Sequence, residues 1–245
     1  MPAGGTGLVL RGLRKEPATI GKWHLGWDLT YKEGKAKTVD NIDFTKRVAN
    51  GPTDRGFDYF YGLTSPSGPP HLYMVNDMAE KQPNTRFEES GGGLYKIKGG
   101  IGHSDWSADG MQPHLADKML EYLDENKDSD KPFFLYMALT APHIPLFPSK
   151  EFKGKSKIGD YGDLVMMIDD IVGRVNRKLK EIGKYDNTIV MFAADNGCAG
   201  YINMDRINRK GHYPSYIYRG YKSHGWEGGC LLYTSPSPRD VEESR

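Results

Sequence analysis

The sequence predicts an α/β domain in which a sheet is layered with helices. Two observations predict it. Leu164, Ile168, Ile171, Val175, Leu179 and Ile182 fall at steps of four and three, one apolar face of a long helix. Two continuous apolar runs, Phe133 to Leu139 and Thr188 to Ala194, each follow a helical pattern. Such runs read as strands buried on both faces. Helix, strand, loop, helix, strand is the order expected of a sheet covered by helices.

The elements follow in chain order. Thr6 to Lys15 has helix character, with Leu8, Leu10 and Leu13 apolar and Arg11, Arg14 and Lys15 basic. Ala18-Thr19-Ile20 is a short apolar run that predicts a strand leading into Gly21-Lys22-Trp23-His24-Leu25-Gly26. Side chains alternate on a strand, so Lys22 and His24 are expected on one face and Trp23 on the other. Residues 27 to 112 are rich in Gly, Pro, Asn and Asp and predict long excursions around a few short elements. Arg55 to Gly62 is their densest aromatic cluster, and Gly91-Gly92-Gly93 and Gly99-Gly100 predict turns. Pro113 suits the first position of a helix whose stripe is Leu115, Met119, Tyr122 and Leu123, ended by Asp128-Ser129-Asp130-Lys131-Pro132. In the long helix, Asp160 and Asp163 lie near the positive end, and Arg177, Lys178 and Lys180 near the negative end. Gly183 suits the residue just past its end. No internal repeat is visible.

The balance of 33 Lys and Arg against 32 Asp and Glu argues against binding nucleic acid or a membrane surface through bulk charge. No apolar stretch is long enough to span a bilayer. Cys198 and Cys230 can pair or stay reduced, and two thiols define no compartment.

Ligands of α/β sheets collect outside the carboxyl ends of the strands. The first apolar run leads into Thr140-Ala141-Pro142-His143-Ile144-Pro145 and the second into Asp195-Asn196-Gly197-Cys198. Asp195 and Asn196 offer adjacent oxygen donors of the kind Ca²⁺ selects, two of the roughly six to eight it takes. Alone, the dipeptide reads first as an Asn-Gly turn. His143, stiffened by Pro142 and Pro145, suits a general acid, and alone it reads first as a loop histidine bonded to backbone. Lys22 and His24 together suit an anion with a proton transferred beside it, although each is also explained as a solvated or structural residue. Lys222 and His224 lie in the glycine- and aromatic-rich loop Tyr218 to Gly229, which can be plain surface. Asp169-Asp170 reads as a solvated helix face.

Taken together, these residues resemble the type I, formylglycine-dependent sulfatases of the alkaline-phosphatase-like superfamily. Gly21-Lys22-Trp23-His24-Leu25-Gly26 matches the second signature of that family. Gly56-Phe57-Asp58, Ala141-Pro142-His143, Ala194-Asp195-Asn196-Gly197 and Glu227-Gly228-Gly229 follow in the family's order over residues 5 to 229. Asn50-Gly51-Pro52-Thr53 and Gly211-His212-Tyr213-Pro214-Ser215-Tyr216 look most like arylsulfatase A-type enzymes of bacteria. The resemblance implies a central mostly parallel or mixed sheet sandwiched by helices. It implies a sulfuric ester hydrolase cleaving sulfate monoesters through a formylglycine nucleophile with one bound Ca²⁺. Lys22 would hold a sulfate oxygen and the nucleophile's alkoxide, and Lys222 would bind sulfate from the far side. His24 would take a proton from the covalent sulfate hemiacetal. His143 would contact the ester near its leaving oxygen, where it is placed to protonate it. Asp195 and Asn196 would supply two ligands of the Ca²⁺.

The chain also departs from that pattern. No Cys or Ser opens a C/S-x-P-S-R motif, and the paired aspartates that complete the family's calcium site are missing. We therefore expect a fragment truncated at both ends, with residues 1–229 a partial catalytic domain and 230–245 a non-native tail, inactive as it stands. The expected partners are a small-molecule or glycan sulfate ester and, for the parent protein, a formylglycine-generating or sulfatase-maturing enzyme. No nucleic acid and no membrane are expected, and the parent is placed in the periplasm or outside the cell. The alternatives are a phosphatase or phosphonate hydrolase of the same superfamily, and a non-catalytic remnant that binds sulfate or anionic glycans. Tyr59, Phe60, Tyr61 and His71 either line a ring-binding wall or pack at the surface or in the core.

Overall fold

A computed structural model describes residues 16–229. The helix expected over Thr6 to Lys15, Cys230 and the tail lie outside the described residues. Among the described residues, seven strands and three α-helices run in the order β1 (Glu16–Lys22), β2 (Tyr59–Leu63), β3 (Met74–Val75), β4 (Met78–Ala79), β5 (Thr85–Phe87), β6 (Gly100–Gly102), α1 (Met111–Glu125), β7 (Phe133–Ala138), α2 (Asp160–Glu181) and α3 (Met204–Asn208). The main sheet has the order β4-β3-β2-β1-β7, and β5 pairs with β6 in a separate ribbon. β1 runs parallel to both β2 and β7, while β2-β3 and β3-β4 are antiparallel, so the sheet is mixed. Among the described helices none is long and apolar enough to cross a membrane.

The alternation of β1 builds two cores. Ala18 and Ile20 face the helices and pack with Tyr61, Leu63, Leu115, Met119, Leu164 and Met167. On the opposite face Phe60 and Met74 pack with Trp23, Phe44, Val48 and Phe57, so the 27–57 excursion covers that side. The two long helices therefore flank one face, and irregular chain the other. Phe60, Tyr61 and His71 are fully buried, which makes them core residues and not a ring-binding wall. Tyr59 stacks on Tyr122 at 5.9 Å.

The long helix forms as its periodicity predicts. It ends in paired backbone bonds: the N–H of Gly183, at φ +70°, reaches the carbonyl of Lys180, and that of Lys184 reaches the carbonyl of Leu179. Asp163, fully buried in the first turn, accepts the N–H groups of Gly154 (2.7 Å) and Ser156 (2.6 Å), so it holds the preceding loop. Asp170 pairs with Arg177 at 3.6 Å, in keeping with a solvated face.

Two strand expectations change. The Phe133 to Leu139 run pairs with β1 on one side only, and Tyr136 is 51% exposed, so β7 is the edge of the described sheet. Thr188 to Ala194 forms no strand. Its backbone beyond Thr188 makes no hydrogen bond among the described residues, and Ile189, Met191 and Phe192 are 89%, 88% and 71% exposed. The cause is pairing: a strand is held by its ladder, and apolar composition alone supplies none.

Candidate active site

The register of the parallel strands places the site. Gly21 lies opposite Gly62 on β2 and Ala138 on β7, and Lys22 lies opposite Leu63. Three carboxyl ends are thus level, where α/β sheets hold ligands. Gly21 is required there. Its φ is +132°, and a Cβ would stand 2.0 Å from the carbonyl oxygen of Ala138. β1 ends at Lys22, and the chain then bends. Trp23 is buried edge-on against Phe57 (6.4 Å), and its indole N–H donates to the carbonyl of Gly26 at 3.2 Å. With Trp23 anchored inward, Lys22 stays half-buried and His24 exposed at the mouth.

His143 follows β7 at the same edge. Its Nδ1 lies 2.7 Å from the carbonyl oxygen of Ile144. A carbonyl only accepts, so Nδ1 carries the hydrogen and Nε2 is the free nitrogen. The ring edge of Tyr201 lies against it, with centroids 6.2 Å apart. Nothing in the sequence marks Tyr201; only the folded loop brings it there.

The remaining groups come from two loops zipped together. Gly197 N–H donates to the carbonyl of Gly229 (3.2 Å), and Lys222 N–H to that of Cys198 (2.9 Å). A Cβ on Gly197 would lie 1.6 Å from the oxygen of Gly228, so the loops meet backbone to backbone. Tyr221 packs over Gly200, and the Arg219 guanidinium sits 3.9 Å from the Trp226 ring. The contact fixes Lys222 beside the Asp195-Asn196 loop. Among the described residues the Cys198 thiol forms no disulfide; it donates to the Tyr161 hydroxyl at 3.4 Å, and burial pushes it up.

Electrostatics show what is brought together. Lys22 is lowered by burial and then by the Lys222 charge, with Asp195 opposing. His24 is lowered by burial, then by Lys22 and Lys222. His143 is lowered by burial, raised by its bond to Ile144, lowered by Lys22 and Lys222, and raised by Asp195. Charges on Lys22, Asp195 and Lys222 therefore act on side chains as far away in the chain as Lys22, His24 and His143. The cations outnumber the one carboxylate, and burial strengthens the excess, so the cluster favours an anion. The His224 ring lies tilted against Tyr221, with centroids 3.8 Å apart.

The fit of a metal is partial. Asp195 and Asn196 are adjacent oxygen donors, and the Asp195 carboxylate makes no hydrogen bond or ion pair among the described residues. The donor chemistry suits a hard cation. Among the described residues no three His, Cys, Asp or Glu groups converge as a metal site, so the pair falls short of a shell.

A separate cavity of about 200 Å³ lies between Tyr73, Trp106, His103 and His114. Its polar groups already satisfy one another. The Tyr61 hydroxyl donates to Glu80 (2.8 Å) and accepts from His114 (2.6 Å), and Lys81 pairs with Asp105.

Known proteins resemble the chain in sequence and in fold. The family model described as Sulfatase matches residues 9–242. An N-acetylgalactosamine-6-O-sulfatase of Bacteroides thetaiotaomicron is 28% identical over 248 residues, covering 87% of this chain and 47% of that protein. The human N-acetylgalactosamine-6-sulfatase is 32% identical over 180 residues, covering 74% of this chain and 30% of that protein. A B. thetaiotaomicron structure from work on the metabolism of multiple glycosaminoglycans superposes with a TM-score of 0.71 at 26% identity, covering 90% of this chain and 51% of that one. The chain thus spans about half the length of these relatives or less.

Proposed function

Because the chain belongs to the sulfatase family, we propose that it carries the anion-holding part of a sulfuric ester hydrolase acting on glycan sulfate esters. The observation that carries this reading is that the Lys222 charge reaches Lys22, His24 and His143 at the carboxyl edge of β1, β2 and β7, and that the Asp195 charge reaches Lys22 and His143. The names of the relatives, which act on N-acetylgalactosamine 6-sulfate, support a glycan over a simple aryl substrate.

Lys22 and Lys222 would hold the sulfate oxygens. Each lies near the other's positive charge, so an entering anion relieves a repulsion already present. Cations fixed beforehand around developing negative charge lower a barrier without reorganising. His143 would face the leaving oxygen through Nε2. It is held below the ordinary imidazole range until an anion arrives. The anion favours its protonation, so the acid forms where the leaving group needs a proton. His24, beside Lys22, would accept a proton at the mouth of the site. Asp195 and Asn196 would hold one Ca²⁺, which when bound supplies Lewis-acid stabilisation of sulfate oxygens. A formylglycine, for which these 245 residues contain no C/S-x-P-S-R motif, would supply the nucleophilic oxygen. Its installation calls for a maturing enzyme, and the reading places the parent protein in the periplasm or outside the cell.

The test is sulfate release by the longer parent protein carrying the nucleophile, from an aryl sulfate and from a 6-sulfated amino-sugar glycan. We expect turnover of both, faster on the glycan, with aryl phosphate cleaved far more slowly. Absence of sulfate release from either substrate by the matured protein overturns the reading.

A further inference from the structure

We propose that Gln112 is a positioning residue that fixes the imidazole of His143 against the anion. The inference rests on the reading of His143 as a site residue. Gln112 lies in the first turn of α1, and Thr140 two residues beyond β7. They are 3% and 4% exposed. The Gln112 Oε1 accepts both the Thr140 N–H (3.1 Å) and the Thr140 hydroxyl (2.5 Å). The Thr140 carbonyl in turn accepts the His143 N–H at 3.1 Å. A continuous path of hydrogen bonds thus runs from the helix layer, through one turn, to the residue on which the charges of Lys22 and Lys222 act.

Two features separate this clamp from ordinary packing. One acceptor holds a backbone donor and a side-chain donor of the same residue, which fixes Thr140 in two directions. The Gln112 amide nitrogen is also buried without a partner among the described residues. A buried unpaired donor is a liability that a methionine of similar shape would avoid. The two bonds to Thr140 are therefore what the side chain contributes there. β7 supports the turn from below, yet β7 is the edge of the described sheet and holds it from one side only. The helix supplies the second anchor.

The test uses the 245-residue chain, with inorganic sulfate as the probe and ring-resolved NMR titration of its histidines. Thr140→Val removes the hydroxyl donor, Thr140→Ser keeps both donors, and Gln112→Met removes the acceptor. We expect Thr140→Val and Gln112→Met to weaken sulfate binding about tenfold. They should also move the His143 titration up toward the ordinary value as the ring loosens into solvent, leaving His71 and His114 unmoved. Thr140→Ser should restore both readouts. If Gln112→Met does not fold, the valine and serine pair decides. Folded Thr140→Val with wild-type sulfate affinity and a wild-type His143 titration overturns the proposal. A wild-type chain that binds no sulfate, while Thr140→Val still shifts His143, overturns the sulfate reading and leaves the clamp standing.

Discussion

At the scale of single residues the site is a matter of mutual charge. Lys222 is among the causes that lower Lys22, His24 and His143. Replacing it should therefore move the other three upward, a change that depends on proximity and on nothing catalytic. In Lys222→Ala, NMR titration should place the midpoints of His24 and His143 higher than in the wild type. In the longer enzyme the same change should lower kcat about 10²- to 10³-fold, the usual effect of removing one preorganised charge. Unchanged histidine midpoints would mean that the ammonium of Lys222 lies elsewhere in solution. Gly21 makes a second residue-scale statement. A Cβ 2.0 Å from the Ala138 oxygen cannot be absorbed by a side-chain shift, because both sides are backbone. Gly21→Ala should cost about 3 kcal/mol in urea unfolding, at the upper end for overpacking.

At the scale of elements, register and edges decide what each segment does. β1 serves the site because it sits between two parallel partners, so its carboxyl end is level with theirs. Thr188 to Ala194 shows the opposite case. Its apolar composition matches that of β7, yet it forms no strand and lies exposed. An exposed apolar segment without a ladder is a site for unwanted pairing. Met191→Lys with Phe192→Asp should therefore raise the soluble fraction and remove large species in light scattering. The thermal midpoint should stay within about 1 °C, because neither side chain is packed. A drop of several degrees would show that the segment is buried in solution.

At the scale of the whole molecule, four histidines are lowered by burial: His24, His71, His114 and His143. Each binds protons less readily folded than unfolded. Between their folded values and the ordinary 6.5, the unfolded chain holds more protons, so stability rises with pH across that window. Above 6.5 the contribution is complete, and it is lost as the pH falls toward the folded values. His71 should dominate: it is fully buried between Phe87 and Trp106, with its Nδ1 unpaired among the described residues. The thermal midpoint should therefore fall from pH 7 to pH 5. His71→Phe should flatten that dependence, and a pH-independent midpoint in the wild type would contradict the burial of His71, His114 and His143. Sulfate binding should have the opposite slope and tighten as the pH falls, because the anion favours the protonated forms of His24 and His143.

Much of this protein was legible in the order of residues. The helix stripes were legible because a helix satisfies its own backbone, and its period and Gly183 terminus are local facts. The signature pieces were legible too, since Gly21 to Gly26, Pro142-His143 and Asp195-Asn196 each carry their chemistry in a few neighbours. What no local pattern contained was convergence. Whether Lys22, His143 and Lys222 share a space, whether Thr188 to Ala194 finds a partner, and whether Gln112 grips Thr140 all depend on atoms far apart in the chain. Strand pairing and charge coupling are interactions through space, and only the tertiary structure sets those distances.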